Sequence, residues 1–495
     1  MIPSSDGSSG SSSGPAPASP ILVDVSIQTA TPGITIPSSF LGISTEWGTA
    51  QNNFGAAPAP FNQTYANLIK HLTSAGNGPF IIRIGGNSVD SMTSPWFVPD
   101  ADGYKIAGGI DAFARMAGAT NTKFILSLTV GGTRFSSVLN DGSYDVPSSP
   151  EIAVRQAATY TAAMPAGSIL AYEIGNEPDQ YWAKSPPFRP ARYIDGGMTG
   201  YQTDFMNWTS ALTAAGNTIP YIGPSASTKN WLASAFLPAF FTSVAAPRLS
   251  FATHHKYQLS ASATASDTLK AGAITEPAAA ATMIAAAHAA GLKIVYDETN
   301  LISMGGKDGV SNVYGAALWA LDYACSMANA GVDGLYFHAS TTAFYSPILF
   351  TLAGTGADTT YTPNVQAEYY GLLVFSKLIA NSARFLPVTM TTPGNVKVWA
   401  VIDNTGAVRV AILNKEESGS YTFTIDLPKT ANGSLQRLTG PSVASKKGIS
   451  FAGQTFDATL DGNPVGTTVT ETVVPVAGKY SVTVPAASVA LLTIN

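Results

Sequence analysis

The chain has 495 residues, a net charge of −5, and only 12% charged side chains against 45% hydrophobic ones. That length exceeds one small domain and suits a barrel enzyme with an appended module, with ample apolar material for a large core. Lysine and arginine are scattered, Lys446-Lys447 being the only adjacent pair, which argues against nucleic acid or a highly sulfated polymer as partner, because holding a polyanion needs clustered cations.

No apolar run is long enough to cross a bilayer, so no membrane partner is expected. Cys325 is the only cysteine, which rules out an internal disulfide. It lies in a predicted helix and reads as a buried small hydrophobe. No cysteine pair or H-x-x-x-H helix suggests a metal site, and no cofactor is expected. Met1 is not followed by a basic segment and an apolar run. The low charge, abundant Ser and Thr, and sequons at Asn62, Asn207 and Asn432 nonetheless suit an extracellular protein whose signal peptide is absent from this chain. A monomer is expected.

In chain order, residues 1–19 form a Ser/Gly-rich leader too polar to offset ordering entropy. A strand follows at 21–29, within a short segment (20–37) that has no helix partner and is expected to join a later β-domain. From 38 to 384 short apolar runs alternate with Ala-rich helical stretches. The runs are 40–45, 80–84, 124–128, 169–174, 221–225, 249–255, 293–298 and 334–339, the eight that a closed parallel (β/α)8 TIM barrel needs. Strands buried on both faces read as continuously apolar, and these do. The stretches 276–291 and 312–331 read as helices ending at glycine. From 385 to 495 the pattern changes to alternating strands separated by turns (VKVWAVID, VRVAILN, YTFTIDL, YSVTVP, VALLTI), which predicts an appended β-sandwich domain. The fold class is therefore α/β with a C-terminal β-sandwich.

Barrel enzymes carry their catalytic groups at the C-terminal ends of the strands. The fourth strand ends in EIGNEPD, with Asn176 and Glu177, and the seventh in YDETN, with Glu298. Both ends open onto one mouth. Cleavage of a glycosidic bond with retention needs two carboxyls about 5–5.5 Å apart, one attacking the anomeric carbon and one exchanging the proton of the leaving group and of water. A single glutamate is most often a solvated surface charge; two at barrel-strand ends in so charge-poor a chain point to this chemistry. His255 and Tyr257 end the sixth strand on one face, where the phenol could orient Glu298.

In combination these motifs resemble glycoside hydrolase family 79, the heparanase and β-glucuronidase family within the clan of retaining barrel glycosidases. The resemblance rests on RIGGNSVD (83–90), AYEIGNEPD (171–179), THHKY (253–257) and DETNLISMGG…GVSNVYGAALWALDY (297–323). It implies Glu177 as acid/base and Glu298 as nucleophile. Asn176 would contact the hydroxyl next to the anomeric carbon, and Glu46 and Asn87 would meet other sugar hydroxyls. Arg83 would keep Glu298 ionised. Gly305 and Gly306 resemble a loop whose backbone N–H groups bind a uronic carboxylate, with Tyr345 adding its hydroxyl. On spacing alone the glycines suit an ordinary turn equally well, and Tyr345 suits surface packing. Lys256 stands where the family has an aromatic residue, which leaves open whether His254 or His255 faces the sugar.

The leading expectation is a retaining exo-β-glucuronidase acting on terminal, β-linked glucuronic acid, with or without a 4-O-methyl group, in a glycan or glycoside. Alternatives are a heparanase-like endo enzyme, which the scattered cations oppose, a neutral-sugar relative such as an arabinofuranosidase or xylosidase, and a carbohydrate-binding protein without turnover. Binding alone requires neither glutamate at these positions.

Overall fold

Each of the eight apolar runs forms a strand, and the strands pair in chain order into a closed barrel. The computed structural model describes residues 19–495 except 74–75, 92–96, 101–102, 107, 132–148, 184–197, 228–235, 244 and 392–393. The leader lies outside the described residues up to position 18. The barrel strands are β1 (Leu41–Glu46), β2 (Ile81–Gly85), β3 (Lys123–Leu128), β4 (Ile169–Ile174), β5 (Tyr221–Ala226), β6 (Leu249–Leu259), β7 (Lys293–Ile302) and β8 (Gly334–Ala339). The parallel pairing of β8 with β1, from Leu335 opposite Leu41 to Ala339 opposite Thr45, closes the ring.

Alternation along each strand sorts side chains between the helix-facing outside and the barrel interior. Ile81, Ile125, Ala171, Ile222, Phe251, Val295 and Tyr336 fill the lower interior with an apolar plug. Gly42 is required there, since a Cβ would lie 2.3 Å from the Tyr336 ring. Two residues further along the strands the interior turns polar: Ser44, Arg83, Ser127, Glu173, Thr253, Asp297 and His338, all buried. The site is built on this polar layer.

Two strands run past their predicted ends. β6 and β7 continue to Leu259 and Ile302, paired with each other. Their register shifts between the pairs Tyr296–His254 and Glu298–His255, so Asp297 is an extra residue in a β-bulge. A hairpin, Ile348–Ala353 with Thr360–Val365, follows β8. The helix predicted over 276–291 forms in two segments, Glu276–Ala279 and Ala281–Ala289, before Gly291 at φ 75°. Cys325 is buried in the helix Tyr314–Asn329. Among the described residues no helix is long and apolar enough to cross a membrane.

The β-domain has two sheets. One orders Val388–Met390, Ile21–Ile27, Tyr421–Asp426 and Lys479–Val484. The N-terminal strand is an interior member, parallel to Tyr421–Asp426 and antiparallel to Val388–Met390. Val23, Val25 and Ile27 face a core shared with Val398, Val410 and Leu492 of the larger sheet. The sequon at Asn62 is closed in this fold: its buried side chain caps the helix Gln63–Leu72, accepting from Tyr65 N–H and donating to Asn53 O. Asn207 and Asn432 are exposed.

The barrel is tied to the β-domain by a buried ion pair. Lys415 Nζ lies 2.7 Å from Asp322 Oδ2, with each side chain 1% exposed. Trp399 Nε1–H donates to the other carboxylate oxygen at 3.0 Å. Breaking a buried pair strands a charge, which costs about 3–5 kcal/mol, whereas replacing both partners with apolar residues removes that penalty. Asp322→Ala is therefore expected to lose stability on this scale in urea titration, and Asp322→Leu combined with Lys415→Met to recover most of it.

Candidate active site

Arg83 stands at the centre of the polar layer and has no exposed surface. Its Nε–H donates to Glu173 Oε2 at 2.7 Å, and one terminal nitrogen meets Glu173 Oε1 and Asn176 Oδ1. The other terminal nitrogen donates to Ser44 Oγ at 3.1 Å and to Glu298 Oε2 at 2.8 Å. One guanidinium on β2 thus fixes residues from β1, β4 and β7 and from the loop after β4. The planar fork of arginine suits this bidentate work, which a lysine could not do.

Glu298 is 8% exposed. Its second oxygen, Oε1, accepts from the Tyr257 hydroxyl at 2.8 Å. His338 Nδ1 lies 3.6 Å from Oε2. Burial alone would raise the Glu298 pKa, but His338, His255, Arg83 and the Tyr257 hydrogen bond together hold it well below the usual carboxylate range. This carboxylate is ionised and aimed. Asp297, by contrast, is pushed up by burial and by Glu173.

Glu177 sits on the loop after β4 with φ at +45°. A non-glycine residue in this region carries strain of about 1–3 kcal/mol and persists only where its surroundings over-determine it. They do so here. Asp90, from the short helix Asn87–Ser91, accepts from the backbone N–H groups of Asn176, Val130 and Gly131 and from the Tyr181 hydroxyl. Asp179 accepts from Ser227 N–H and Oγ–H, pinning the loop to the segment after β5. Glu177 N–H donates to Ser225 O. The Glu177 carboxylate accepts from Gln180 Nε2 at 3.2 Å, and its Oε1 meets His255 Nδ1 at 3.1 Å. One oxygen each of Glu177 and Glu298 and a ring nitrogen of His255 all lie within 4.8 Å of one another. Both Glu298 oxygens already accept from Arg83 and Tyr257, so a cation in this cluster would compete with the guanidinium.

His255 faces the mouth, while His254 points outward, its ring edge-on to Tyr296 at 5.3 Å. Lys256 also points outward, 3.2 Å from the buried Glu276, which accounts for a cation at a position where an aromatic was expected. Asn176 has its oxygen held by Arg83, and its NH2 has no partner among the described residues.

The remaining expected residues form the rim. Glu46 accepts from the backbone N–H groups of Asn87 and Ser88, so it holds the β2 loop, and Gly86 leaves room for its carboxylate. The Asn87 side chain is exposed. Met304, Gly305 and Gly306 have φ of 58°, 88° and 78° in succession. The Tyr345 ring packs beside the Tyr257 ring, with centroids 6.0 Å apart, and a Cβ on Gly306 would lie 3.0 Å from the Tyr345 ring. A chain of contacts therefore runs from Glu298 through Tyr257 and Tyr345 to the glycine loop. Tyr345 is 4% exposed and belongs to the site wall.

Sequence reasoning missed Glu173, Asp90, Gln180, His338 and Asp297. Alternation on β4 and β8 would have placed Glu173 and His338 inside; Asp297 depends on a bulge that the sequence does not announce.

The C-terminal domain of glycosyl hydrolase family 79 matches residues 398–491. A beta-glucuronidase of Neurospora crassa is 26% identical over 396 residues, spanning 72% of this chain and 66%, just under two thirds, of that protein. One of Aspergillus niger is 22% identical over 453 residues, covering 80% and 79%. The fold matches a 4-O-α-L-rhamnosyl-β-D-glucuronidase of Fusarium oxysporum 12S with a TM-score of 0.73 at 20% identity, over 96% of this chain and 100% of the other. It also matches a family 51 arabinofuranosidase of Xanthomonas axonopodis pv. citri with a TM-score of 0.66 at 14% identity, over 96% and 100%. Domain match, relatives and barrel agree with the strand-end motifs: residues 398–491 match the family 79 C-terminal domain, and the chain is similar over most of its length to two fungal beta-glucuronidases.

Proposed function

We propose that this glycoside hydrolase is a retaining exo-β-glucuronidase that releases terminal β-linked glucuronic acid through a covalent glycosyl-enzyme. The observation that carries the reading is the approach of the two carboxyls, with oxygens of Glu177 and Glu298 within 4.8 Å. Retaining enzymes hold their carboxyls about 5–5.5 Å apart, and inverting ones leave about 6.5–9.5 Å for a water.

In the first half-reaction the ionised Glu298 attacks the anomeric carbon. The C–O bond to the aglycone breaks, and Glu177 gives its proton to the departing oxygen. In the second, Glu177 takes a proton from water as the water oxygen attacks the anomeric carbon, freeing Glu298 and the sugar with the starting configuration. The NH2 of Asn176, without a partner among the described residues, suits a donor to the neighbouring sugar hydroxyl. The Gly305 backbone and the Tyr345 hydroxyl suit the role of neutral donors to an ionised carboxylate, with Gly306 packed beside the Tyr345 ring and its own N–H given to Ser303 O at 3.3 Å. A hydrogen bond to a charged acceptor is worth roughly 1.5–3 kcal/mol. An extracellular setting fits the two exposed sequons.

Two measurements test the reading. With azide added, Glu298→Ala is expected to yield the inverted α-glycosyl azide, and Glu177→Ala the retained β-azide from activated substrates; the reverse pattern would exchange the two roles. Tyr345→Phe is expected to lose about 10-fold or more in kcat/KM on aryl glucuronides and little on residual aryl glucoside turnover. A screen of glucuronide, glucoside, xyloside and arabinofuranoside sets the baseline, and an equal loss on both sugars would remove Tyr345 from carboxylate recognition.

A further inference from the structure

Asp297 has no part in the double displacement, yet it lies within the site. The bulge in β7 inserts it directly ahead of Glu298, and it is fully buried. Its Oδ2 accepts from Ser225 Oγ at 2.8 Å. Its Oδ1 has no hydrogen-bond partner among the described residues, and neither has His255 Nε2. These two atoms face each other at 3.5 Å. Buried polar atoms left unsatisfied are costly, and contacts of this kind are often long in an empty site and tighten once substrate is bound.

The other edge of the same imidazole meets the acid/base. His255 Nδ1 is 3.1 Å from Glu177 Oε1 and 4.0 Å from Glu298 Oε2. The charged groups around the ring are Glu177 from the loop after β4, Asp297 and Glu298 from β7, and Arg83 from β2. On its own strand, His254 and Lys256 point away.

We propose that Asp297 is a positioning residue for the reaction: it orients the imidazole of His255, which holds the Glu177 carboxyl in place through both half-reactions. An imidazolium donates from Nε2 to Asp297 and from Nδ1 to Glu177 Oε1. Oε1 can accept whether or not Glu177 carries its proton on Oε2. The transferred proton therefore leaves and returns at Oε2 while the ring stays fixed. The ionisation of the ring agrees with this arrangement: burial would lower its pKa, but Glu298, Glu177 and Asp297 outweigh that and raise it to about 9. The proposal rests on Glu177 as acid/base and not on glucuronic acid as the sugar.

The test compares wild type with Asp297→Asn and Asp297→Ala on aryl glucuronides of graded leaving-group acidity. A weakened Glu177 should matter most where the leaving group needs a proton. The expected loss in kcat/KM is about 10-fold or more greater for the 4-methoxyphenyl than for the 2,4-dinitrophenyl glucuronide. Equal losses on both, or none, would assign Asp297 a purely structural role and overturn the proposal. Selective 15N-histidine labelling supplies a readout independent of the variants' folding. The wild-type His255 ring is expected to titrate above the ordinary 6.5, and a midpoint at or below that value also overturns the proposal. If wild type cleaves a different aryl glycoside and no glucuronide, the glucuronidase reading fails, and the same series on that glycoside still tests Asp297.

Discussion

A single buried guanidinium holds the upper interior of the barrel together. Without Arg83, Glu173 and Glu298 would share the barrel interior as like charges with no cation between them. With it, Glu173 balances the cation, and Glu298 receives its remaining field together with one directed hydrogen bond. Burying a charge is tolerable only when it is paired and hydrogen-bonded on all sides, and Ser44 and Asn176 supply the remaining acceptors. The same bonds that make the cation tolerable also position the reacting groups, so stability and chemistry cannot be adjusted separately at this residue.

The carboxyls that surround this cation are shifted in opposite directions because their neighbours differ. Glu298 meets cations and a phenol, whereas Asp297, one residue earlier, is buried beside Glu173 and is pushed the other way. Adjacent residues on a regular strand point to opposite faces, so two neighbouring acids can share one interior only where the ladder slips. The bulge in β7 is therefore what brings a third carboxyl into the site.

The eight strands were legible because parallel barrel strands are apolar on both faces and end in polar residues at the mouth, as Glu177 and Glu298 do. Alternation placed His255 and Tyr257 on one face, and they occupy it. What could not be read depends on contacts between distant segments. Asp90 ends an unremarkable SVD tripeptide, yet it collects donors from the loops after β3 and β4. Gln180 acquires meaning only once the strained turn at Glu177 brings it back onto that carboxylate. The extensions of β6 and β7 follow from their pairing with each other, which local pattern does not encode.

The N-terminal strand fixes the order in which the molecule can be completed. Ile21–Ile27 is made first, but its neighbours in the sheet, Val388–Met390 and Tyr421–Asp426, are made only after the whole barrel. During synthesis both edges of this strand stay open across several hundred residues of chain, and contacts so distant in sequence form slowly and late. The barrel is in effect an insertion into the β-domain. A fragment beginning at residue 385 would carry a sheet missing an interior strand, with Phe423 and Ile425 deprived of Val23 and Val25. The small domain thus acts as a clasp that closes only around a finished barrel, and its integrity reports that the segments flanking the barrel on either side have come together.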